Sequence, residues 1–365
     1  MLRRTVLISF LAVCLSCAGT VAIPDSTRPA PPPSELEQQK LETGIALHDD
    51  GKYREALAVY RDILDLNPGN VYALYESAFS SSQMGDYAAS LDFALKGLEY
   101  DSPLIGRLSM VAANNLDILG KPKQAIAVYQ KALRHMPEAG ILYYNMGVTY
   151  SGMDDGEAAE AAFLKALERS PDHASSHVAL ADICLNRGEA MPAMLLLIRF
   201  LTLEPDTRRS ITALRKLEAA MTSGVTSGGP NTININLFGP VLENPSTFRT
   251  MEMTWKLQRA VHLSTADTSL SALEQRRAAF HTLLDMMNPE ELCDGDAFLE
   301  RYLITWLADL REAGHGELAF DYIHQLVKDE GLQDRLKRNW PAIQQFEAWN
   351  GAWGSGASIA PDMAN

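Results

Sequence analysis

The chain has 365 residues, 47% of them hydrophobic, enough to build more than one core of ordinary size and to exclude an intrinsically disordered chain. Its formal net charge of -14 gives an acidic surface that repels phosphate backbones and anionic headgroups, so nucleic acid is excluded as the expected partner. The cysteines outside the N-terminal stretch, Cys184 and Cys293, are too few for a disulfide framework.

Residues 1–22 place Arg3 and Arg4 before a short apolar run and then small residues, the pattern of a secretory signal. The expected location is outside the cytoplasm, periplasmic or anchored at an outer membrane in a bacterium. "CLSC" resembles a bacterial lipoprotein box with Cys17 as the lipidated residue, although Cys14 stands where such boxes usually carry Leu; plain cleavage is the alternative. No later stretch is long and apolar enough to span a bilayer, since "AMPAMLLLIRF" is short and carries Arg199. A lipid anchor would therefore be the one attachment to a membrane. Residues 23–36, with "PDSTRPAPPP" inside them, are expected to form an extended Pro-rich tether.

From residue 37 a pattern recurs. Helical stretches close at Pro68, Pro103, Pro137, Pro171 and Pro205, at intervals of 35, 34, 34 and 34 residues. Gly51, Gly85, Gly120 and Gly188 occupy one phase of that period, where a left-handed turn favours Gly. Ala56, Ala125, Ala159 and Ala193 occupy a second, where helices approach closely, and Tyr60, Tyr129 and Phe163 a third, where a large ring fills the gap to the next hairpin. The copies are imperfect: Asp154 and Gly156 replace the turn Gly and its Tyr, Ser90 and Ala94 take the Ala and Tyr places in the second unit, and Leu197 and Phe200 depart from the pattern in the fifth.

Over residues 37–207 this period and these residues resemble the tetratricopeptide repeat (TPR) family. The resemblance implies an all-α chain: an α-solenoid of five stacked helical hairpins followed by a smaller helical C-terminal module. It also implies a groove lined by the first helix of each hairpin, where such proteins usually bind peptides or helices. On that pattern the groove residues are Tyr72, Tyr75, Glu76 and Phe79, then Met110 and Asn114, then Tyr144 and Asn145, then Asp182 and Asn186. Rigid aromatics beside amides suit apolar side chains on a hydrogen-bonded backbone. The carboxylate clamp of one TPR subclass is absent, because Leu41, Ile45 and Glu76 stand at its positions and Asn145 alone fits.

Residues 208–222 read as a polar capping helix and 223–231 as a Gly/Ser linker. "TININL" then alternates like a strand that has no sheet to join; it is expected to lie against helices, fill a groove, or pair in a homo-oligomer. Within the module, 232–350, Phe248, Met251 and Trp255 share a face, as do Leu273, Phe280, Leu283, Leu284 and Met287. Asn288 with Glu291 forms a capping pair. Trp306, Gly314, Ala319 and Tyr322 suggest a degenerate sixth hairpin, and 351–365 an unstructured tail.

No catalytic motif stands in the chain. His173 and His177, with Asp172 beside them, lack a third metal ligand, and Cys184 falls where a core side chain is expected. The expectation is a non-enzymatic scaffold with a protein or peptide partner, no cofactor and no metal. The alternatives are an enzyme with an unrecognised site in 232–350 and a structural homo-oligomer that uses residues 232–238.

Overall fold

The computed structural model describes residues 27–229, 232–236, 247–265, 270–291 and 297–353. The leader with Cys17, the Asn244–Pro245 cap, Leu237, Cys293 and the tail from residue 354 lie outside the described residues. Two compact units, Met1–Ala132 and Leu133–Asn365, divide the chain. Both are built of helical hairpins in the solenoid manner, and the protein is all-α, with two small strand pairs among the described residues.

The first unit contains α1 (Glu35–Asp49), α2 (Tyr53–Leu66), α3 (Val71–Gln83), α4 (Tyr87–Gly97), α5 (Ile105–Ile118) and most of α6 (Pro122–His135). Ser34 and Glu37 form a reciprocal capping box on α1. Glu37 also accepts from the Asn67 and Asn70 side chains, and Asn70 caps α3, so one carboxylate ties two helix starts together. The Pro-rich segment is not free of this unit. Arg28–Pro29 (β1) pairs in parallel with Tyr100–Asp101 (β2), and Arg28 both lies over the Tyr100 ring and pairs with Glu99.

The second unit begins with α7 (Gly140–Gly152), α8 (Gly156–Arg169), α9 (Ala174–Arg187) and α10 (Ala190–Leu203). It continues with α11 (Arg208–Thr222), β3 (Val225–Gly229), β4 (Thr232–Ile235), α12 (Thr247–Thr265) and α13 (Ala272–Asp285). After a 3-10 turn at Pro289–Glu291 come α14 (Phe298–Glu312), α15 (Gly316–Ile323), α16 (Glu330–Arg338) and α17 (Trp340–Ala352).

The hairpin turns share one hydrogen-bond signature. The N–H groups of Lys52, Asp86, Lys121, Asp155, Glu189 and His315 donate to the carbonyls of Leu47, Ser81, Leu116, Tyr150, Cys184 and Leu310, the bond that closes a helix through a left-handed residue. That residue has φ between 72° and 77° at Gly51, Gly85, Gly120, Gly188 and Gly314, so the α14–α15 connection shares the same turn. At Asp154, with φ 59°, the conformation is held without glycine. Replacing Asp154→Gly should raise stability by about 0.5–1 kcal/mol and Asp154→Val should lower it, read from urea midpoints at constant m.

Size complementarity fixes the packing inside each hairpin. A Cβ on Gly147 would lie 2.6 Å from the Phe163 ring, and one on Gly44 would collide with Tyr60. Ala56, Ala125, Ala159 and Ala193 are all fully or almost fully buried. Where the second hairpin departs from the pattern, a polar link replaces the methyl contact: Ser90 donates to the Ala78 carbonyl at 2.6 Å and accepts from Asn115 at 2.7 Å.

In the second unit one hydrophobic cluster runs from Ala159 to Phe346, joining the last repeat hairpins to the C-terminal helices. Its axis is α10, in which every residue from Ala190 to Thr202 is buried. A helix apolar on all sides must be enclosed, and α9, α11, α12, α14, α15 and α17 all touch it. Consequently α11 does more than present a polar end: Ala213, Leu214, Leu217 and Met221 are buried, and Trp255 donates to the Met221 carbonyl.

Three further expectations change. The "TINI" strand is not alone, because β4 pairs antiparallel with β3, a strand formed by the expected Gly/Ser linker. Two short uncharged segments can satisfy each other's backbone groups without strong side-chain signals. Asn288 accepts from Glu290 N–H but opens only a single 3-10 turn. Finally, α17 continues to Ala352, and Trp353 donates to Asp309 at 2.8 Å, so the module extends past residue 350.

Arg199 sits at the centre of the enclosed α10 with no accessible surface. Its Nε donates to the Tyr302 hydroxyl at 3.1 Å, its Nη1 meets Asn350 Oδ1, and its guanidinium faces the Trp306 and Trp353 rings at 4.8 and 5.6 Å. The Nη2 group has no hydrogen-bond partner.

Candidate functional site

In the first unit the first helices lie side by side, α1 against α3 and α3 against α5. This places the expected groove residues of α3 next to side chains that the repeat pattern did not single out. Tyr75 and Phe79 stack with centroids 6.3 Å apart, and His48 from α1 stacks on Phe79 at 4.8 Å. Tyr72 and Phe79 keep 43% and 36% of their surface exposed, while Tyr75 and Glu76 are half-buried. The result is an aromatic row open on one side. His48 also lies 2.7 Å from Ser80 Oγ, which fixes its ring under Phe79.

Electrostatics tune that row. Burial, then the neighbouring Asp49 charge, raise the Glu76 carboxyl above its ordinary range, while Arg107 on α5 opposes the shift. Burial and Glu76 raise the Tyr75 hydroxyl, and burial lowers His48, which favours the neutral imidazole. The face therefore holds rigid rings around one carboxylate of reduced acidity. Met110 is half-buried on α5, and Asn114 is exposed, accepting from the Tyr129 hydroxyl. His48, Asp49 and Arg107 were missed because the repeat pattern marks scaffold positions, whereas these residues matter through neighbours on other helices.

The expected residues of the second unit are arranged differently. Tyr144 is half-buried and packs against Phe163 and His173, with centroids 5.6 and 4.7 Å away, at the border of the core. Asp182 pairs with Lys216 of α11 at 2.5 Å. Asn145 is half-buried and Asn186 exposed. Among the described residues no ring contact joins these four residues in the way that Tyr75, Phe79 and His48 are joined.

His177 is buried, its Nε2 lying 3.1 Å from the Tyr302 hydroxyl and its Nδ1 against the His173 carbonyl. Among the described residues no cluster of metal-ligating groups occurs. Cys184 is a buried free thiol pushed up to about 12 by burial. In the C-terminal helices the acids and bases that draw attention are tied to one another. Buried Asp321 receives Arg277 and Arg335, and Glu317 pairs with Arg277 and lies 2.9 Å from His281, linking α13, α15 and α16. No helix among the described residues is long and apolar enough to cross a membrane.

A family model described as "Tetratricopeptide repeat" matches residues 141–173, spanning α7 and α8. Among solved structures, the chain is similar to a thermophilic TPR protein of Thermus thermophilus, at 24% identity and TM-score 0.39 over 51% of this chain and 98% of that one. It is similar to PilF of Pseudomonas aeruginosa at 18% identity and TM-score 0.42, over 51% and 89% of the two chains. It is similar also to YrrB, described as a TPR protein with an unusual peptide-binding site, at 19% identity and TM-score 0.39, over 49% and 90%. Among curated proteins none matches the sequence.

Proposed function

We propose that this chain, a tetratricopeptide-repeat protein, is a non-enzymatic scaffold of a bacterial cell envelope that holds a peptide or protein partner on the α3 face of its first unit. TPR folds generally bind protein or peptide partners, and the observation that supports this place is the open row Tyr72, Tyr75, Phe79 and His48 beside Glu76. Exposed rings already stacked lose little rotamer freedom on binding, so an apolar partner side chain gains contact at small entropic cost. Glu76 can accept from a partner N–H or ammonium group placed next to that side chain. The leader supports export, with Cys17 as the point of anchoring or Ala22 as the point of release.

The test is site-specific photo-crosslinking from Tyr75 in the exporting cell, with the exposed Arg61 on α2 as the comparison position. One product is expected from Tyr75 and none from Arg61. Phe79→Ala should weaken that capture about tenfold, the effect of a lost anchor residue, while leaving the melting temperature within a few degrees. Equal capture from both positions, or capture indifferent to Phe79→Ala, would place the binding surface elsewhere.

A further inference from the structure

Among the described residues nothing pairs with the outer edge of the β3–β4 ribbon. Asn236 N–H donates to the Gly224 carbonyl at 2.7 Å, which sets the phase of the antiparallel ladder. With that pair bonded, the Thr226–Asn234 pair is bonded as well, and Ile233 and Ile235 are the alternating pairs whose N–H and C=O groups point away from β3. Proteins normally protect such edges with charge, and residues 223–236 carry none. A two-stranded ribbon is marginal on its own. Ile233 and Ile235 remain half-buried, while Thr232, Asn234 and Asn236 on the opposite face are exposed.

The helix under the ribbon shows the same lack of guarding. Both strands touch α12, and Gly224 lies over Lys256 of that helix. One position round, Met253, Leu257 and Val261 form a stripe at i, i+4, i+8 that is 40%, 48% and 61% exposed. The neighbouring exposed positions, Thr250, Thr254 and Ser264, are uncharged too.

We infer that a second copy of this chain covers this surface, β4 pairing antiparallel with β4 of the other copy about a two-fold axis at Asn234. Among the described residues that register uses each outward group of β4: Ile233 of each copy faces Ile235 of the other and exchanges two hydrogen bonds with it. It makes a four-stranded sheet whose isoleucine face is backed by both α12 helices, with their apolar stripes at the seam. A second copy is the occupant that fits because the edge is self-complementary and neither the ribbon nor α12 exposes an acid. Elsewhere two chains of net charge -14 repel each other; here no acid opposes their approach.

Sedimentation velocity on the purified full chain, up to about 100 μM, should show a reversible dimer, since that concentration saturates a micromolar Kd. Ile235→Pro removes an outward N–H without touching the bonds to β3 and should weaken the dimer at least tenfold, with the far-ultraviolet circular dichroism unchanged. Leu257→Lys should weaken it as well through the stripe. Asn234→Cys puts the introduced thiol of each copy directly opposite the other, within disulfide distance, and should give an oxidised dimer linked at residue 234 that the parent chain does not form. A chain that stays monomeric at 100 μM overturns the inference. So does a dimer that resists both Ile235→Pro and Leu257→Lys, or one that Asn234→Cys does not link.

Discussion

Between pH 8 and pH 5 two buried histidines of the second unit should together withdraw about 4 kcal/mol of stability, roughly 2 kcal/mol each. Burial, reinforced by the Arg199 charge, pushes His177 down to about 3. Burial pushes His324 down to about 4 against the opposing pull of its bond to the Phe320 carbonyl, with Arg276 adding to the depression. Both lie below the 6.5 of an unfolded histidine, so the unfolded chain takes up protons first. The contribution is therefore intact above pH 6.5 and is lost as the pH falls through that value towards 4 and 3. Urea unfolding at half-unit steps from pH 8 to pH 5 measures it. Replacing His177→Gln or His324→Gln should each remove about 1.4 kcal/mol per pH unit from the slope below pH 6.5, whatever it does to stability at pH 8. A slope unchanged by both substitutions would mean that the rings are already solvated and protonated in the folded state.

Arg199 should separate volume from charge. Arg199→Ala leaves a void between the Trp306 and Trp353 rings and strips Tyr302 and Asn350 of a partner, so a loss of about 3–5 kcal/mol is expected. Arg199→Met fills nearly the same space and removes a buried cation that pairs with no carboxylate among the described residues and leaves Nη2 unpaired. That variant should match or exceed the parent, by up to about 4 kcal/mol. It should also relax the depression of His177, since the Arg199 charge is its second cause. If Arg199→Met were as damaging as Arg199→Ala, the hydrogen bonds to Tyr302 and Asn350 would outweigh the cost of burying the charge.

The α3 face shows how much of the candidate site the sequence carried. The repeat phase put Tyr72, Tyr75, Glu76 and Phe79 on one helix face; all four belong to α3, where Tyr75 and Phe79 stack. It could not show that His48 stacks on Phe79, or that Tyr144 packs against His173. It likewise could not show that Lys216 reaches Asp182. Those outcomes depend on distances between residues more than 25 positions apart, which no local pattern encodes.

The helical hairpin was legible without any coordinates. A period of 34 residues, a left-handed turn residue, a small residue where helices approach and a ring facing it are local requirements of packing one helix on the next. Even Asp154 adopts the turn geometry, because its neighbours impose it. Folding settled the place where the repeats merge with the C-terminal helices. The apolar run of α10 was visible in the sequence, but its enclosure by α11, α12, α14, α15 and α17 was not. Neither was the pairing of a Gly/Ser segment with "TINI". Both cases have one cause: an apolar helix or an open strand edge requires a cover, and the identity of that cover is set by long-range packing in the folded chain.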